Sequence, residues 1–474
     1  MNSSFSQNKN NSSKKQVKNN KKYKIKEEPL QLFPISGKKV EISFTGEKIS
    51  SNGGALLLKE IEYQIGIIKA IASAINDTRD QRYVQHTLIN LLKQRVFQIA
   101  CAYEDANDCD SLKSDPILKI CLDKLSDSNP DLASQPTMSR AENTINRSDL
   151  YRIAEAFVNH FIKSYDKEPD LIVLDFDDTN NNVHGEQELI DFNGYYHEYC
   201  YMPLHIYEGI SGKLIATILK PGHRSKGIQI LSILKRIIKL IRLHWKNTRI
   251  VYRGDSHFTA PEIIEWIDAQ DKLHRITGLT GNSRLKEQTE RTLKSAENIY
   301  KNRKAYNLGN KKVKLYHTFY YKAESWKKEQ RIVAKVEFGE EGSNIRYIVS
   351  DMDRCRAKQL YEEIYCARGK MELFIKEHKT YLKSDRSSCK KFEANQFRLF
   401  LHSMAYVLFH SLQNSALKNT EFANSTMQTI QLKLIKTAAI VKELKTKIKI
   451  EFPLSCPQKG VFKWAFGFFD ALRC

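Results

Sequence analysis

The chain has 474 residues, 41% of them hydrophobic, and carries 76 Lys and Arg against 55 Asp and Glu, for a formal charge of +21. That is enough apolar material for a sizeable core and roughly two to four domains, and the charge calls for a polyanionic partner without separating DNA, RNA and membrane surface. No apolar run reaches the roughly 18 residues of a membrane span and MNSSFSQNKNNSSKKQ lacks the apolar centre of a signal peptide, so no membrane role is expected and cytoplasmic residence is.

Residues 1 to about 28 are rich in Asn, Ser and Lys, with eight Lys and no acid before Glu27. Such a segment cannot bury enough apolar surface to offset its ordering entropy. A basic disordered tail is expected over 1–39, able to touch phosphates loosely. From 40 to 165 apolar residues recur at spacings of three and four, as in GALLLKEIEYQIGIIKAIASAI, QRYVQHTLINLLKQRVFQIACAYED and RSDLYRIAEAFVNHFIKSY. This pattern predicts an all-α N-terminal domain. Within it, a turn at Gln135, Pro136 and Thr137 precedes a short helix bearing Ser139, Arg140 and Asn143, either a recognition helix or an ordinary surface helix. The nine Cys form no C-x-x-C pair and suit reduced thiols, with Cys101 and Cys121 placed in the core.

At Leu171 the texture changes to short β-type runs. LIVLDFDD, YCYMPLHIYEG and KLIATILK read as strands, KGIQILSILKRIIKLIRLHW as a helix, TRIVYRGDSHF as a fourth strand, APEIIEWIDAQ as a helix and HRITGLTG as a fifth strand. The order β-β-β-α-β-α-β is that of an α/β ribonuclease H-like core, here over 166–281, in which the first and fourth strands lie side by side and acids near their ends converge. Those acids are Asp177 and Asp255. Asp175 shares a strand face with Asp177 by the two-residue period and is the reserve candidate, whereas Asp178 points away. For any single Asp at a strand end the alternative is a turn or capping role.

The stretch 282–346 contains KLYHTFYYKA, QRIVAKVEFG and NIRYIVSD, whose β-branched and aromatic residues read as strands. Its Tyr306, Tyr316, Tyr320 and Trp326 are candidates either for stacking on bases or for core packing. Then RAKQLYEEIYCARGKMELFIKEHKTYL, within 347–413, predicts a helix. At 100° per residue, Tyr365, Arg368, Glu372 and Lys379 fall within roughly 60° of one another, with Leu360, Ile364, Met371 and Phe374 on the adjoining arc. Such a helix aims a carboxylate beside a phosphate backbone. Asp177, Asp255 and Glu372 together suit hard, oxygen-seeking Mg²⁺, with Mn²⁺ a second choice, and two such ions can clamp an in-line phosphoryl transfer. The last stretch, 414–474, reads as helical through KLIKTAAIVKELKTKIKI, with an aromatic GVFKWAFGFF and no assigned role.

Tyr365, two residues, Arg368, three residues, Glu372, six residues and Lys379 resemble the Y-(2)-R-(3)-E-(6)-K signature of bacterial DDE insertion-sequence transposases. DFDDTNNNVHGEQE and YRGDSHF look like that group's first-acid and second-acid segments, and FEANQFRLFLHSMAYVL is similar to the helix after its signature. By motif the resemblance spans roughly 40–413. It implies catalytic and metal-binding roles for Asp177, Asp255 and Glu372, DNA contacts for Tyr365, Arg368 and Lys379, and a β-rich insertion at 282–346. The implied partners are double-stranded DNA, as element ends and target, and a second copy of the chain in the active complex, working at the nucleoid. Two other readings compete. Asp175 to Thr179 also fits the D-x-D-x-T motif of haloacid dehalogenase-like phosphatases, which need a crossover helix after their first strand. An inactive, transposase-derived DNA-binding protein is the nonenzymatic alternative.

Overall fold

The computed structural model describes residues 29–308 and 310–473, and the chain divides into one compact unit ending at Glu47 and a second from Lys48 to the C-terminus. The first unit contains a hairpin of Leu30–Ile35 and Lys38–Ile42. Its turn residues Ser36 and Gly37 both have positive φ, 51° and 76°, the geometry whose twist suits a two-residue hairpin loop. The basic tail expected over 1–39 is therefore corrected from residue 30 onward, because LQLFPI and KKVEI pair as antiparallel strands across a Ser-Gly turn. Residues 1–28 lie outside the described residues.

The second unit is built on an eight-stranded sheet, numbered in chain order as β1 (Leu171–Asp178), β2 (Leu204–Glu208), β3 (Leu214–Ile218), β4 (Arg249–Gly254), β5 (Leu273–Leu279), β6 (Val313–Tyr321), β7 (Gln330–Gly339) and β8 (Gly342–Ser350). The sheet order is β6-β7-β8-β5-β4-β1-β2-β3. β1, β4 and β5 run parallel and every other pairing is antiparallel. The expected adjacency of the first and fourth strands is present, with Asp175 opposite Arg253 and Phe176 opposite Gly254. Alternation along β1 sends Ile172, Leu174 and Phe176 into a core with the helices Gly227–His244 and Pro261–Asp268. Val173 faces the other side, where Leu360 and Tyr361 pack. β1 is followed by strands and not by a crossover helix, so the phosphatase order is not met.

Three further expectations change. The helices between 55 and 163 form, but Leu57, Ile61, Phe97 and Phe157 share one core with Phe400, Met404, Leu434 and Phe469. The N-terminal helices thus complete the large unit and are not a body of their own. In 282–346 the first third is a helix, Ser283–Ala305, and β6 to β8 continue the central sheet, because β8 pairs with β5. The polar, Lys/Glu-rich SRLKEQTERTLKSAENIYKNRKA has the composition of an exposed helix. In 414–474, KLIKTAAIVKELKTKIKI begins in a π-helical turn, Gln431–Ile435, and then forms strands: Ala439–Glu443 pairs with Ile448–Glu451 and with Ile49–Ser50. Its alternating β-branched residues favour a pleated edge over a helix face. Cys101 and Cys121 are buried free thiols, as expected, and no helix among the described residues is long and apolar enough to cross a membrane.

Candidate active site

The site forms where β1 and β4 end side by side. Asp177 is the penultimate residue of β1, and Asp255 follows β4 directly. Asp255 opens the single turn Ser256–Phe258, its Oδ1 accepting the His257 amide at 2.8 Å. The capping role that is the ordinary use of such an Asp is thus real, and it leaves the other carboxylate oxygen without a described hydrogen bond.

A helical run from Ala357 to Tyr381 lies across these strand ends, but it is not a uniform α-helix. It contains π-helical turns at Leu360–Tyr365 and Glu377–Tyr381 and a 3₁₀ turn at Cys366–Arg368. Side chains at i and i+3 eclipse in a 3₁₀ turn, and Tyr365 and Arg368 both turn toward the acids. Arg368 Nη2 lies 3.2 Å from Asp177 Oδ2. A Cβ on Gly278 would come within 2.8 Å of the Tyr365 hydroxyl and of the Ser256 amide nitrogen, so the bare glycine is what admits the tyrosine beside Asp255.

Burial pushes the Asp177 carboxyl up to about 7; Arg368 opposes the shift, and the charges of Asp255 and Asp178 add to it. A desolvated carboxyl with acidic neighbours and a single arginine counter-ion lacks positive charge. Arg368 has spare capacity of a different kind: its Nε is buried without a hydrogen-bond partner among the described residues.

The other candidates separate. Asp175 is fully buried in a two-pronged pair with Arg253, Nε to Oδ1 at 2.5 Å and Nη2 to Oδ2 at 2.7 Å, while Arg253 Nη1 donates to the Ile364 carbonyl at 2.5 Å. It ties β1, β4 and the helical run together and is not free to bind a metal. Nor is it free to act as a phosphatase nucleophile. Asp178, on the opposite face as expected, pairs with Lys220 at 2.9 Å and lies 3.7 Å from His257. Lys379 is half-buried and donates to Thr179 Oγ1 at 3.3 Å, Asn180 Oδ1 at 3.1 Å and the Asn180 carbonyl. It fastens the chain just beyond Asp177 and does not project toward solvent. Glu372 is exposed. Of the three predicted acids, Asp177 and Asp255 lie close enough for their charges to interact, and no group of three or more His, Cys, Asp or Glu poised to hold a metal exists among the described residues.

Arg253, Lys220 and His257 escaped the sequence reading. Arg253 had a legible signal, since two residues before Asp255 on a strand parallel to β1 it must face Asp175. Of the aromatic candidates, Trp326 is buried among Ile332 and Val349, and the Tyr316 hydroxyl donates to Glu362. Neither is free to stack on a base. Tyr306 and Tyr320 are exposed, 76% and 60%. In the helix Gln135–Thr144, read as either a recognition helix or an ordinary surface helix, Met138 and Glu142 are buried, Asn143 donates back to the Ser139 carbonyl and Arg140 is exposed.

Among curated proteins none matches this sequence. A solved structure that is similar is a piggyBac transposase in a synaptic complex with hairpin DNA, 12% identical, with a TM-score of 0.42 and coverage of 82% of this chain and 83% of that one. The family model described as transposase DDE domain group 1 matches residues 33–474. With nearly the whole chain matched, and two acids meeting at the ends of adjacent parallel strands, this protein belongs to the DDE transposase family, domain group 1.

Proposed function

We propose that the protein binds the terminal repeats of its own insertion sequence, cleaves the DNA there and joins the freed 3′ ends to target DNA, using a ribonuclease H-like core. The observation that carries this reading is the meeting of Asp177 and Asp255 at neighbouring strand ends, with Arg368 reaching Asp177 from the helical run. The donor chemistry fits a divalent cation, Mg²⁺ or Mn²⁺: two carboxylates, one of them desolvated and short of positive charge. Asp177 and Asp255 would hold it, with Glu372 as the third ligand. Bound there, the cation supplies Lewis-acid polarisation of the scissile phosphodiester and activation of the attacking oxygen.

The protein's own residues do the rest. Arg368 offers its unpartnered Nε–H to a phosphate oxygen. Tyr365, held by the gap at Gly278, limits how far the backbone can shift past Asp255. Lys379 holds Thr179 and Asn180 and so fixes the end of β1. The partners are element-end and target duplexes and a second copy of the chain, because two ends must be joined to one target; the work takes place in the cytoplasm, at the nucleoid. The test is cleavage of a labelled element end: Asp177→Ala, Asp255→Ala or Glu372→Ala should each abolish cutting while end binding stays within a few-fold. Full cleavage by Asp177→Ala would overturn the assignment.

A further inference from the structure

The segment after the first acid ends in an aromatic hairpin that the proposed chemistry does not use. Four residues beyond Asp177 the chain enters a small sheet of Asn181–Asn182, Glu198–Tyr201 and Asp191–Asn193. Phe192 and Tyr199 are directly opposed in it, so their side chains share a face, with ring centroids 5.5 Å apart. In the connecting turn Tyr195 and Tyr196 meet edge to face at 4.9 Å. Aromatic rings on a soluble surface are normally buried or capped, yet Phe192, Tyr195 and Tyr199 are 54%, 84% and 57% exposed.

The hairpin is held in place. Asn193 Oδ1 accepts the amides of Tyr195 and Tyr196 at 3.0 and 3.3 Å, and Asn193 Nδ2 donates to the Gly222 carbonyl at 2.7 Å. Asp191 and His223 are 2.5 Å apart. These links bring the rings beside the basic loop of Lys220, His223, Arg224 and Lys226, in which Arg224 and Lys226 are exposed. The same turn feels the acids: after burial, the charges of Asp178 and then Asp177 help push the Tyr196 hydroxyl up.

We propose that Phe192, Tyr195 and Tyr199 form a stacking platform for unpaired bases of the DNA strand lying at the cleavage site. Flat rings accept any base on a π-face, and the neighbouring cations suit the backbone that carries those bases. An apolar protein partner would gain nothing from the adjoining basic loop. The inference rests on the reading of this site as a DNA-cleaving centre and names the state of the DNA that it holds.

The test uses the full chain and two fluorescent probes at equal salt, an oligothymidylate of about 20 nucleotides and a duplex of the same length, read by anisotropy. Replacing both Tyr195 and Tyr199 by Ala should weaken thymidylate binding about tenfold and leave duplex binding within about twofold, since stacking is lost but charge is not. The double Tyr→Phe variant should bind both probes as the wild type does. Tyr195→Ala alone, at the most exposed ring, should show the same selective loss in smaller measure and guards against a failure to fold. Equal losses on both probes, or none, overturn the proposal; no loss would leave the face to a protein partner. Failure of the wild-type protein to cleave a labelled element end would sink the transposase reading, and that result is read separately from the two binding probes, which decide the platform.

Discussion

Replacing Asp177 by Asn should stabilise the metal-free protein, and more so as the pH rises. The wild-type carboxyl is pushed up to about 7 in the folded state, whereas an unfolded chain releases that proton near 3.9. Between those values the folded protein holds a proton that the unfolded chain has lost. The stability linked to this group is therefore fully present below about 4 and drains away as the pH climbs through 7. About three pKa units at roughly 1.36 kcal/mol each set a ceiling near 4 kcal/mol, of which about 2–3 kcal/mol falls between pH 5 and pH 8. Asn does not titrate. In EDTA, the urea-unfolding free energy of Asp177→Asn should thus gain on wild type by about 2–3 kcal/mol from pH 5 to pH 8. Adding Mg²⁺ at pH 8 should narrow the gap, because a cation that binds only the folded wild type raises its stability by mass action. A gap that is the same at both pH values in EDTA would refute the argument, since it would mean that the carboxyl titrates as an exposed one does.

Arg368→Ala and Lys379→Ala should part company in a salt series of end cleavage: the first defect should ease at low salt, where remaining cations act over longer range, and the second should not, because Lys379 is spent on Thr179 and Asn180. Recovery of both would return Lys379 to a direct DNA contact. Asp175→Ala should cost about 3–5 kcal/mol in thermal or urea unfolding by stranding Arg253 in the interior; an unchanged midpoint would show that the pair is not structural. Gly209→Ala should destabilise by about 1–3 kcal/mol, since its Cβ would fall 2.3 Å from Asp175 Oδ2 and 2.5 Å from Arg253 Nη2. Glu372→Ala should change stability by no more than about 0.5 kcal/mol, as for an exposed residue away from any network, while losing cleavage; a large drop in stability would assign Glu372 to the fold.

The sheet was legible because its strands announce themselves. LIVLDFDD and RIVYRGD are largely apolar and bounded by polar turns, and the two strand-like runs and one helix-period run between them give the element order that sets them side by side as a parallel pair. Once that pair is granted, Asp177 and Asp255 must approach each other. What stayed hidden depended on contacts far apart in sequence. Nothing local tells Trp326 that Ile332 and Val349 will cover it, or tells KTAAIVKE that Ile49 and Ser50 will offer a strand edge. The N-terminal helices looked like a domain because their periodicity is self-contained, yet their apolar faces find their complement in Phe400 and Met404, more than two hundred residues away. The hairpin at Leu30–Ile42 follows a lysine-rich stretch whose composition argues for disorder, whereas its own signal is the short Ser-Gly turn between two strand-forming runs.

The helical run bearing Glu372 shows where a periodicity argument stops. A constant 100° per residue treats all four polar side chains as one stripe, but two π-turns and a 3₁₀ turn change the angular step along the way. Tyr365 and Arg368 are eclipsed onto the acids, and Lys379, inside the second π-turn, is delivered to the loop beyond β1. The eleven residues from Arg368 to Lys379 rise about 16 Å in α geometry, while Asp177 to Asn180 spans about 10 Å of extended chain. The long Arg and Lys side chains make up the difference, so the two ends of this stretch of helix are fastened to the end of β1 and to the loop just beyond it. Glu372 sits between the two fastenings. Its carboxylate is exposed, and the irregular turns on either side change the azimuth that a constant step per residue assigns to it, a coordinate that sequence spacing cannot report.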